Sequence, residues 1–342
     1  MVTMLDAVKI DAGISRRRLL AGAATLGGLL GLSACGTDSA PAPAAADPTW
    51  NFTDARGERV QLPRRPERIV AYAGVAAVLW DYGVRPVGIF GPQRRDDGSP
   101  DTTVGDIDLA SVASAGEGYE ALDYEALAAL RPDLVVTGMT SPDVMWVIAD
   151  DAVDRVTKIA PLVALEGYGV PAEQIIAGYE RFARLLGADT GATEFVSARV
   201  RLNEATAAAR TAIGARQNLR VLVTYADQEG LSVARPSQFP DLLSFRALGL
   251  DLVEPEGSDQ YYETLSWEQA GRYPADLVLH DTRAFSLQPD QLAAYPTWAA
   301  LPAVQAGQVG RWSAEVRLSA QGFAAALEDL TATVTAARDD VV

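Results

Sequence analysis

Apolar residues along the chain follow two rhythms. Between Gly191 and Ile213 they recur every three or four positions, at Phe195, Ala198, Leu202, Ala205, Ala209 and Ile213. That spacing predicts one apolar stripe down a helix. The segment has no proline and no glycine after Gly191. Asp189 or Thr190 can cap its start, and Gly214 lies where a left-handed stop is usual. Roughly 23 residues at 1.5 Å each would reach about 35 Å, the width of a small domain.

Elsewhere the apolar residues come in short runs bounded by turn residues, which predicts buried strands. Residues 50–54 and 59–62 form two such runs around a turn at 55–58, and 68–72 forms a third. A helix through Val78, Leu79 and Trp80 ends near Gly83; the strand 85–90 and the polar loop 91–100 follow. A helix over 124–130 leads into a strand from Asp133 to Val136, and Pro171 opens a helix over 172–186 that stops at Gly187. Past the long helix, 220–225 starts a second series, closed by a helix over 320–337. Strands alternating with helices indicate α/β lobes with largely parallel sheets.

The two series resemble each other. Glu125 is followed, past Arg131 and Pro132, by Asp133-Leu134-Val135; Glu268 is followed, past Arg272 and Pro274, by Asp276-Leu277-Val278. Leu79-Trp80-Asp81-Tyr82-Gly83-Val84 has a counterpart in Phe245-Arg246-Ala247-Leu248-Gly249-Leu250. Two matches in the same order on both sides of the long helix predict duplicated lobes, 50–187 and 215–342, joined by a strut over 188–214. With no internal glycine or proline, that strut should resist wide hinge closure.

Composition sharpens this picture. The chain has 342 residues, 49% of them apolar, enough for two domains, and its net charge is −16. Such a surface repels nucleic acid and anionic lipid. One cysteine, Cys35, and one histidine, His280, exclude an intrachain disulfide and a zinc site built on several His or Cys ligands. His280 ends an apolar run and reads as a strand-end residue.

The amino terminus carries an address. Arg16-Arg17-Arg18 precedes an apolar run ending near Leu32, too short to span a membrane and suited to a signal-peptide core. The paired arginines suggest the twin-arginine route. Leu32-Ser33-Ala34-Cys35-Gly36 resembles the lipobox of bacterial lipoproteins, in which the cysteine becomes the lipid-bearing first residue. Residues 1–34 are thus expected to be a signal peptide and 35–49, rich in Ala and Pro, a flexible tether. The compartment is extracytoplasmic, on the outer face of a bacterial cell membrane.

No enzyme constellation stands up. Gly116-Glu117-Gly118-Tyr119-Glu120-Ala121 formally fits a dinucleotide fingerprint, but Ser-Ala-rich sequence precedes it and two glutamates would face the pyrophosphate. Gly230-Leu231-Ser232-Val233-Ala234 lacks the last glycine of a nucleophile elbow. Asp106 and Asp108 could bind a cation weakly, and solvation suits them better. What recurs is aromatic and arginine side chains near element ends: Tyr72, Tyr119, Tyr225, Tyr261, Tyr262 and Trp312, with Arg94, Arg95, Arg235, Arg283 and Arg317. In open α/β sheets ligands bind outside the carboxyl ends of the strands. Aromatics there supply flat apolar walls, and arginines supply bidentate donors.

Three further stretches carry a family resemblance: Val60-Gln61-Leu62-Pro63 with Pro66-Glu67-Arg68-Ile69-Val70; Tyr124-Glu125 through Arg131-Pro132-Asp133-Leu134-Val135; and Trp298-Ala299-Ala300-Leu301-Pro302-Ala303-Val304 with Gly307-Gln308-Val309. Over about residues 50–330 the chain resembles the helical-backbone class of iron–siderophore and cobalamin substrate-binding proteins that serve ABC importers. The resemblance implies two pseudo-symmetric α/β sandwich lobes with mostly parallel sheets, one long joining helix, and a ligand cleft between them. It implies a non-enzymatic monomer that captures a bulky chelate, most simply a ferric siderophore whose chelator holds the iron, so that the protein itself needs no cofactor or metal. Cobalamin or haem is the alternative, with His280 or a tyrosine as axial ligand for haem; a lipid-anchored hydrolase is a more distant one. By position, Tyr119, Tyr225 and Tyr262 match cleft aromatics, and Trp312 and Arg317 the region that closes the site. Glu125 and Glu268 match the surface glutamates that pair with arginines on the permease dimer, which works with its ATPase. Each also suits the first turn of a helix. Some hydroxamate-binding members carry an arginine just before the first of these helices; here Arg94 or Arg95 would have to replace it.

Overall fold

The short apolar runs form two main sheets, one on each side of the long helix. The computed structural model describes residues 49–119 and 122–342; the export segment, Cys35 and nearly all of the tether lie outside the described residues. β1 (Trp50–Thr53) and β2 (Arg59–Leu62) pair as an antiparallel ribbon. β3 (Ile69–Tyr72), α1 (Ala73–Asp81), β4 (Gly88–Gly91), β5 (Ala113–Glu117), α2 (Tyr124–Ala129), β6 (Leu134–Ser141), β7 (Val144–Met145), α3 (Val153–Thr157) and β8 (Leu162–Leu165) build the first lobe. α4 (Ala172–Leu185) and the long α5 (Thr193–Gly214) come next. The second lobe holds β9 (Arg220–Ala226), β10 (Gly230–Ala234), α6 (Pro240–Ala247), β11 (Asp251–Leu252), β12 (Tyr262–Ser266) and β13 (Leu277–Asp281). It continues with α7 (Pro289–Leu292), α8 (Pro296–Ala299), α9 (Pro302–Gln305), β14 (Val309–Trp312) and α10 (Ala320–Ala336).

The internal repeat is visible in the sheets. In the first, β4, β3, β6 and β8 lie side by side and all parallel. In the second, β11, β9, β13 and β14 do the same. Each lobe thus places the strand after its Glu-to-Pro motif beside its own first strand. The second match holds as well. Gly83 (φ 77°) ends α1 ahead of β4, and Gly249 (φ 106°) ends α6 ahead of β11. Both need the left-handed conformation that glycine adopts without a Cβ clash. The lobes differ in what is added: β10 and β12 extend the second sheet antiparallel to their neighbours, whereas β5 extends the first in parallel. The central strands are buried on both faces, hence their unbroken apolar runs.

α5 keeps the predicted stripe but not the predicted ends. Its cap position is Ala192, without a side-chain cap. Asp189 instead accepts from the Gly191 N–H and Thr190 accepts from Arg184, so both serve the preceding turn. Gly214 is the last helical residue and Ala215, in ordinary helical geometry, follows it; no left-handed stop is needed. At the amino end Phe195 packs near Tyr82 of the first core, at 6.0 Å between rings. Further along, Ala205, Ala209 and Ile213 join Phe323, Leu327, Leu330 and Val334 of α10 in the second core. The alanines let α10 approach closely, and each fully buried Leu, Phe or Val contributes about 1.5–3 kcal/mol. Arg201 and Glu328 pair across the exposed side of this contact at 2.7 Å. The strut is therefore a braced pair of helices.

Candidate functional site

The carboxyl ends of the parallel strands open into a cleft of about 530 Å³. From the first lobe come Tyr119, just past β5, Thr140 of β6, and Val144, Met145 and Trp146 of the hairpin that follows. The second lobe contributes Tyr225 near the end of β9, Phe239, Tyr261 and Tyr262 at the start of β12, Arg283 and Phe285 past β13, and Ala314 past β14. The rings meet edge to face: Tyr225 with Tyr262 at 4.8 Å, Tyr225 with Phe285 at 5.8 Å, and Tyr119 with Phe285 across the lobes at 5.6 Å. Phe285 and Val144 remain 46% and 52% exposed, so the cleft offers apolar surface to a guest.

Local geometry explains the placement. Gly116 and Gly118 have φ of 118° and 96°, which turns the chain off β5 and aims Tyr119 inward. The Ser-Ala-rich run forms the partly buried edge strand β5, which takes in Gly116, and α2 begins only at Tyr124, so these glycines do not open a helix as a dinucleotide site requires. Val147 holds φ 64°, a costly conformation for a β-branched residue, next to Trp146. Ser232 lies buried within β10, hydrogen-bonded to Thr264 at 2.9 Å, so no nucleophile elbow forms there.

The floor is a polar cluster that ties the lobes together. The buried Glu315 accepts from the Tyr72 hydroxyl and from the Tyr119 hydroxyl at 2.5 Å, both from the first lobe. Arg283 Nη1 reaches the same carboxylate at 3.3 Å. Arg283 Nε donates to Asp281 Oδ2 at 2.7 Å, and its Nη2 lies 2.6 Å from that oxygen and donates to the Tyr262 hydroxyl at 3.2 Å. Burial raises the Glu315 pKa against the pull of Arg283 and the tyrosines. Burial, and then Glu315, pushes Tyr72 and Tyr119 upward; burial raises Tyr262 against Arg283. Burial also opposes the Arg283 charge, yet Asp281, Tyr262 and Glu315 hold it well above the usual arginine range.

Among the sequence candidates, Tyr119, Tyr225, Tyr261, Tyr262 and Arg283 line the cleft. Tyr72 lies one layer beneath, stacked on Trp146 at 5.7 Å and 2% exposed. The rest turn elsewhere. Arg94 is exposed and donates to the Gly98 carbonyl of its own loop at 3.0 Å. Arg95 donates to the Thr282 carbonyl at 2.6 Å, stitching the lobes beside the cleft. Arg235 holds the loop after β11 through the Asp259 and Pro255 carbonyls, both at 3.0 Å. Arg317 pairs with Asp106 at 2.7 Å and Asp81 at 3.2 Å, and Trp312 is buried against Asp241. Asp106 thus serves an ion pair. His280 lies inside β13, 2% exposed, sharing hydrogen bonds with Thr224 and the Leu287 carbonyl; burial lowers its pKa. It does not face the cleft as an axial ligand would. Among the described residues no group of three or more His, Cys, Asp or Glu gathers to hold a metal ion. Glu125 and Glu268 are both exposed, one in the first turn of α2 and the other in a 3₁₀ turn ahead of β13.

Sequence reasoning missed Trp146, Phe239, Phe285 and Glu315. One signal for Trp146 was available: Val144 to Ala149 is an apolar run directly behind the Pro142-Asp143 turn.

Asp241 gives the region a pH signature. Its Oδ2 accepts from Trp312 Nε1 at 2.7 Å, while Oδ1 has no partner. Burial pushes its pKa from 3.8 up to about 6, against the Trp312 and backbone hydrogen bonds. Between those values the folded state binds more protons than the unfolded chain. Stability from this group therefore falls as pH rises from roughly 4 to above 6, by about 3 kcal/mol. In urea melts, the stability of wild type relative to Asp241→Asn should decline by that order over this window. A pH-independent difference would contradict the assignment.

A family model described as periplasmic binding protein matches residues 76–316. Among solved structures, the chain is 35% identical to DesE, a ferric-siderophore receptor protein from Streptomyces coelicolor, over 85% of this chain and 99% of that one, with a TM-score of 0.82. The siderophore periplasmic binding protein from the fuscachelin gene cluster of Thermobifida fusca shares the fold at 20% identity, over 78% of this chain and 96% of that one, with a TM-score of 0.56. So does PiuA, an iron uptake ABC transporter substrate-binding protein from Streptococcus pneumoniae, at 20% identity over 84% and 97%, with a TM-score of 0.61. A search of curated proteins finds no match.

Proposed function

Because the chain belongs to the periplasmic binding protein family, we propose that it is the substrate-binding lipoprotein of an ABC importer and that it captures a ferric siderophore. The observation that carries this reading is the aromatic cleft of about 530 Å³ drawn from both lobes, within the size range of small-ligand sites. Tyr119, Trp146, Tyr225, Tyr262 and Phe285 would wrap the organic shell of the chelate. The chelator keeps the iron, so the protein supplies shape, stacking and hydrogen bonds. The identity to a protein described as a ferric-siderophore receptor supports the ligand class. Anchoring through Cys35 belongs to the same proposal and is supported by the arginine-led signal and the Leu32-to-Gly36 motif. The protein would deliver its cargo as a monomer to a permease dimer driven by an ATPase, with Glu125 and Glu268 as docking points.

Titration of tryptophan fluorescence with ferric hydroxamates, ferric catecholates, haem and cobalamin tests the ligand class. A ferric chelate should quench saturably, and Trp146→Phe should remove most of the quench although five other tryptophans remain. Absence of quenching by any of the four would sink the proposal.

A further inference from the structure

Among the described residues Arg283 is the sole Lys or Arg lining the cleft, and its charge is already matched inside the protein. Lys158, the one lysine among the described residues, does not line the cleft. A guanidinium carries five N–H donors. Here Nε and Nη2 are directed to Asp281, Nη2 also to the Tyr262 hydroxyl, and Nη1 to Glu315, in a cluster whose Arg, Asp and Glu side chains are 5%, 0% and 5% exposed. Glu315 accepts from two hydroxyls and a guanidinium, as a carboxylate does, so one cation between two carboxylates leaves the floor with one net negative charge. The neighbouring arginines add little. Arg95 is turned to the Thr282 carbonyl, and Arg317 is held by Asp81 and Asp106.

We infer that Glu315 is a specificity-determining residue: by cancelling Arg283 from beneath the cleft it restricts the cargo to ferric chelates of zero or positive net charge. This rests on the reading of the cleft as a siderophore site. A hydroxamate releases one proton per bidentate unit, so three of them neutralise ferric iron. A catecholate releases two, so three leave a trianion. Bringing a trianion onto a desolvated negative floor sets like charges together where screening is weak. Glu315 need touch no chelate atom for this effect; it acts through Arg283, whose charge it offsets.

The test is a pair of titrations on the whole protein, one with an uncharged ferric trihydroxamate and one with a trianionic ferric tricatecholate. Wild type should prefer the uncharged complex by roughly 100-fold, the size of a like-charge penalty at an interface. Glu315→Gln keeps an acceptor and a donor for the two tyrosines, releases Arg283 Nη1 toward the cleft and brings the floor to neutrality. It should narrow the preference by about tenfold through tighter binding of the trianion. Asp281→Asn changes the charge by the same unit from the other side of Arg283 and should shift the ratio in the same direction, which keeps the test open if one variant folds poorly. Equal affinities in wild type, or an unchanged ratio in both variants, would overturn the role of Glu315 and leave the siderophore reading standing. Binding of neither chelate, nor of a cationic trihydroxamate complex, by folded wild type would overturn that reading and this inference with it.

Discussion

Changing Glu125 and Glu268 together to lysine is expected to abolish chelate uptake by cells while the purified protein keeps its affinity for the chelate. Both side chains are exposed and neither lines the cleft. The change should leave the lobes folded. The amino end of α2 is held by Asp123, whose Oδ1 accepts from the Glu125 and Ala126 N–H groups, and that cap is untouched. Glu268 is held below the usual glutamate range by the Ser266 hydroxyl and its own backbone N–H, so it stays ionised at neutral pH. The two positions are equivalent in the repeat, each ahead of the strand that pairs with its lobe's first strand. Two equivalent negative points suit a docking partner with two similar cationic halves. Reversal at both replaces two attractions with two repulsions, and like charges at an interface cost several kcal/mol. Uptake of radiolabelled ferric chelate, measured beside calorimetric affinity, separates docking from capture. A single reversal should leave partial uptake. Full uptake by the double variant would remove these residues from the docking surface.

The lobes and the strut were legible because each follows from local rules. A strand buried on both faces needs an unbroken apolar run, so β3 and β13 announce themselves as Ile69-Val70-Ala71-Tyr72 and Leu277-Val278-Leu279. A helix buried along one face needs a stripe, as α5 shows. Duplication was legible because the Glu-to-Pro motif and the glycine-ended helix keep their order on both sides. The cleft was only half legible. Its tyrosines could be placed from strand ends, but Trp146, Phe239 and Phe285 depend on how loops return across the sheet edge, which no periodicity encodes. Glu315 was hidden for another reason. The loop after Val309 matches the region that closes the site through Trp312 and Arg317, yet it is Glu315 between them whose carboxylate is buried under two tyrosines and Arg283. The arginines misled in a way that composition could have warned of. With 45 acidic residues against 29 basic ones, most arginines meet a carboxylate or a carbonyl before they meet a ligand.

Replacing Arg283 by methionine is expected to destabilise the protein by about 3–5 kcal/mol, the usual result of removing one partner from a buried ion cluster. Asp281 and Glu315 would stay buried without their cation, and methionine returns volume but no donors. Burial already raises Glu315 with Arg283 in place. Without it Glu315 should rise further. A carboxyl raised in the folded state takes up protons as pH falls, so the folded variant gains relative to the unfolded chain toward acid. The loss should therefore be greatest near neutral pH and shrink as pH drops, a dependence that mere loss of packing would not produce. Neutralising the orphaned groups supplies the second check. Arg283→Met combined with Asp281→Asn and Glu315→Gln should recover most of the lost stability, because neutral amides escape the cost of buried unpaired charge and still hydrogen-bond Tyr72 and Tyr119. Arg283→Lys should fall between, since it keeps the charge but cannot span Asp281, Glu315 and Tyr262 with a planar fork. Urea melts of the four proteins across pH 4.5–8 decide this. If Arg283→Met melts like wild type, or if its deficit does not change with pH, the cluster is not the electrostatic tie between the lobes. Glu315 then could not govern the charge of the cleft.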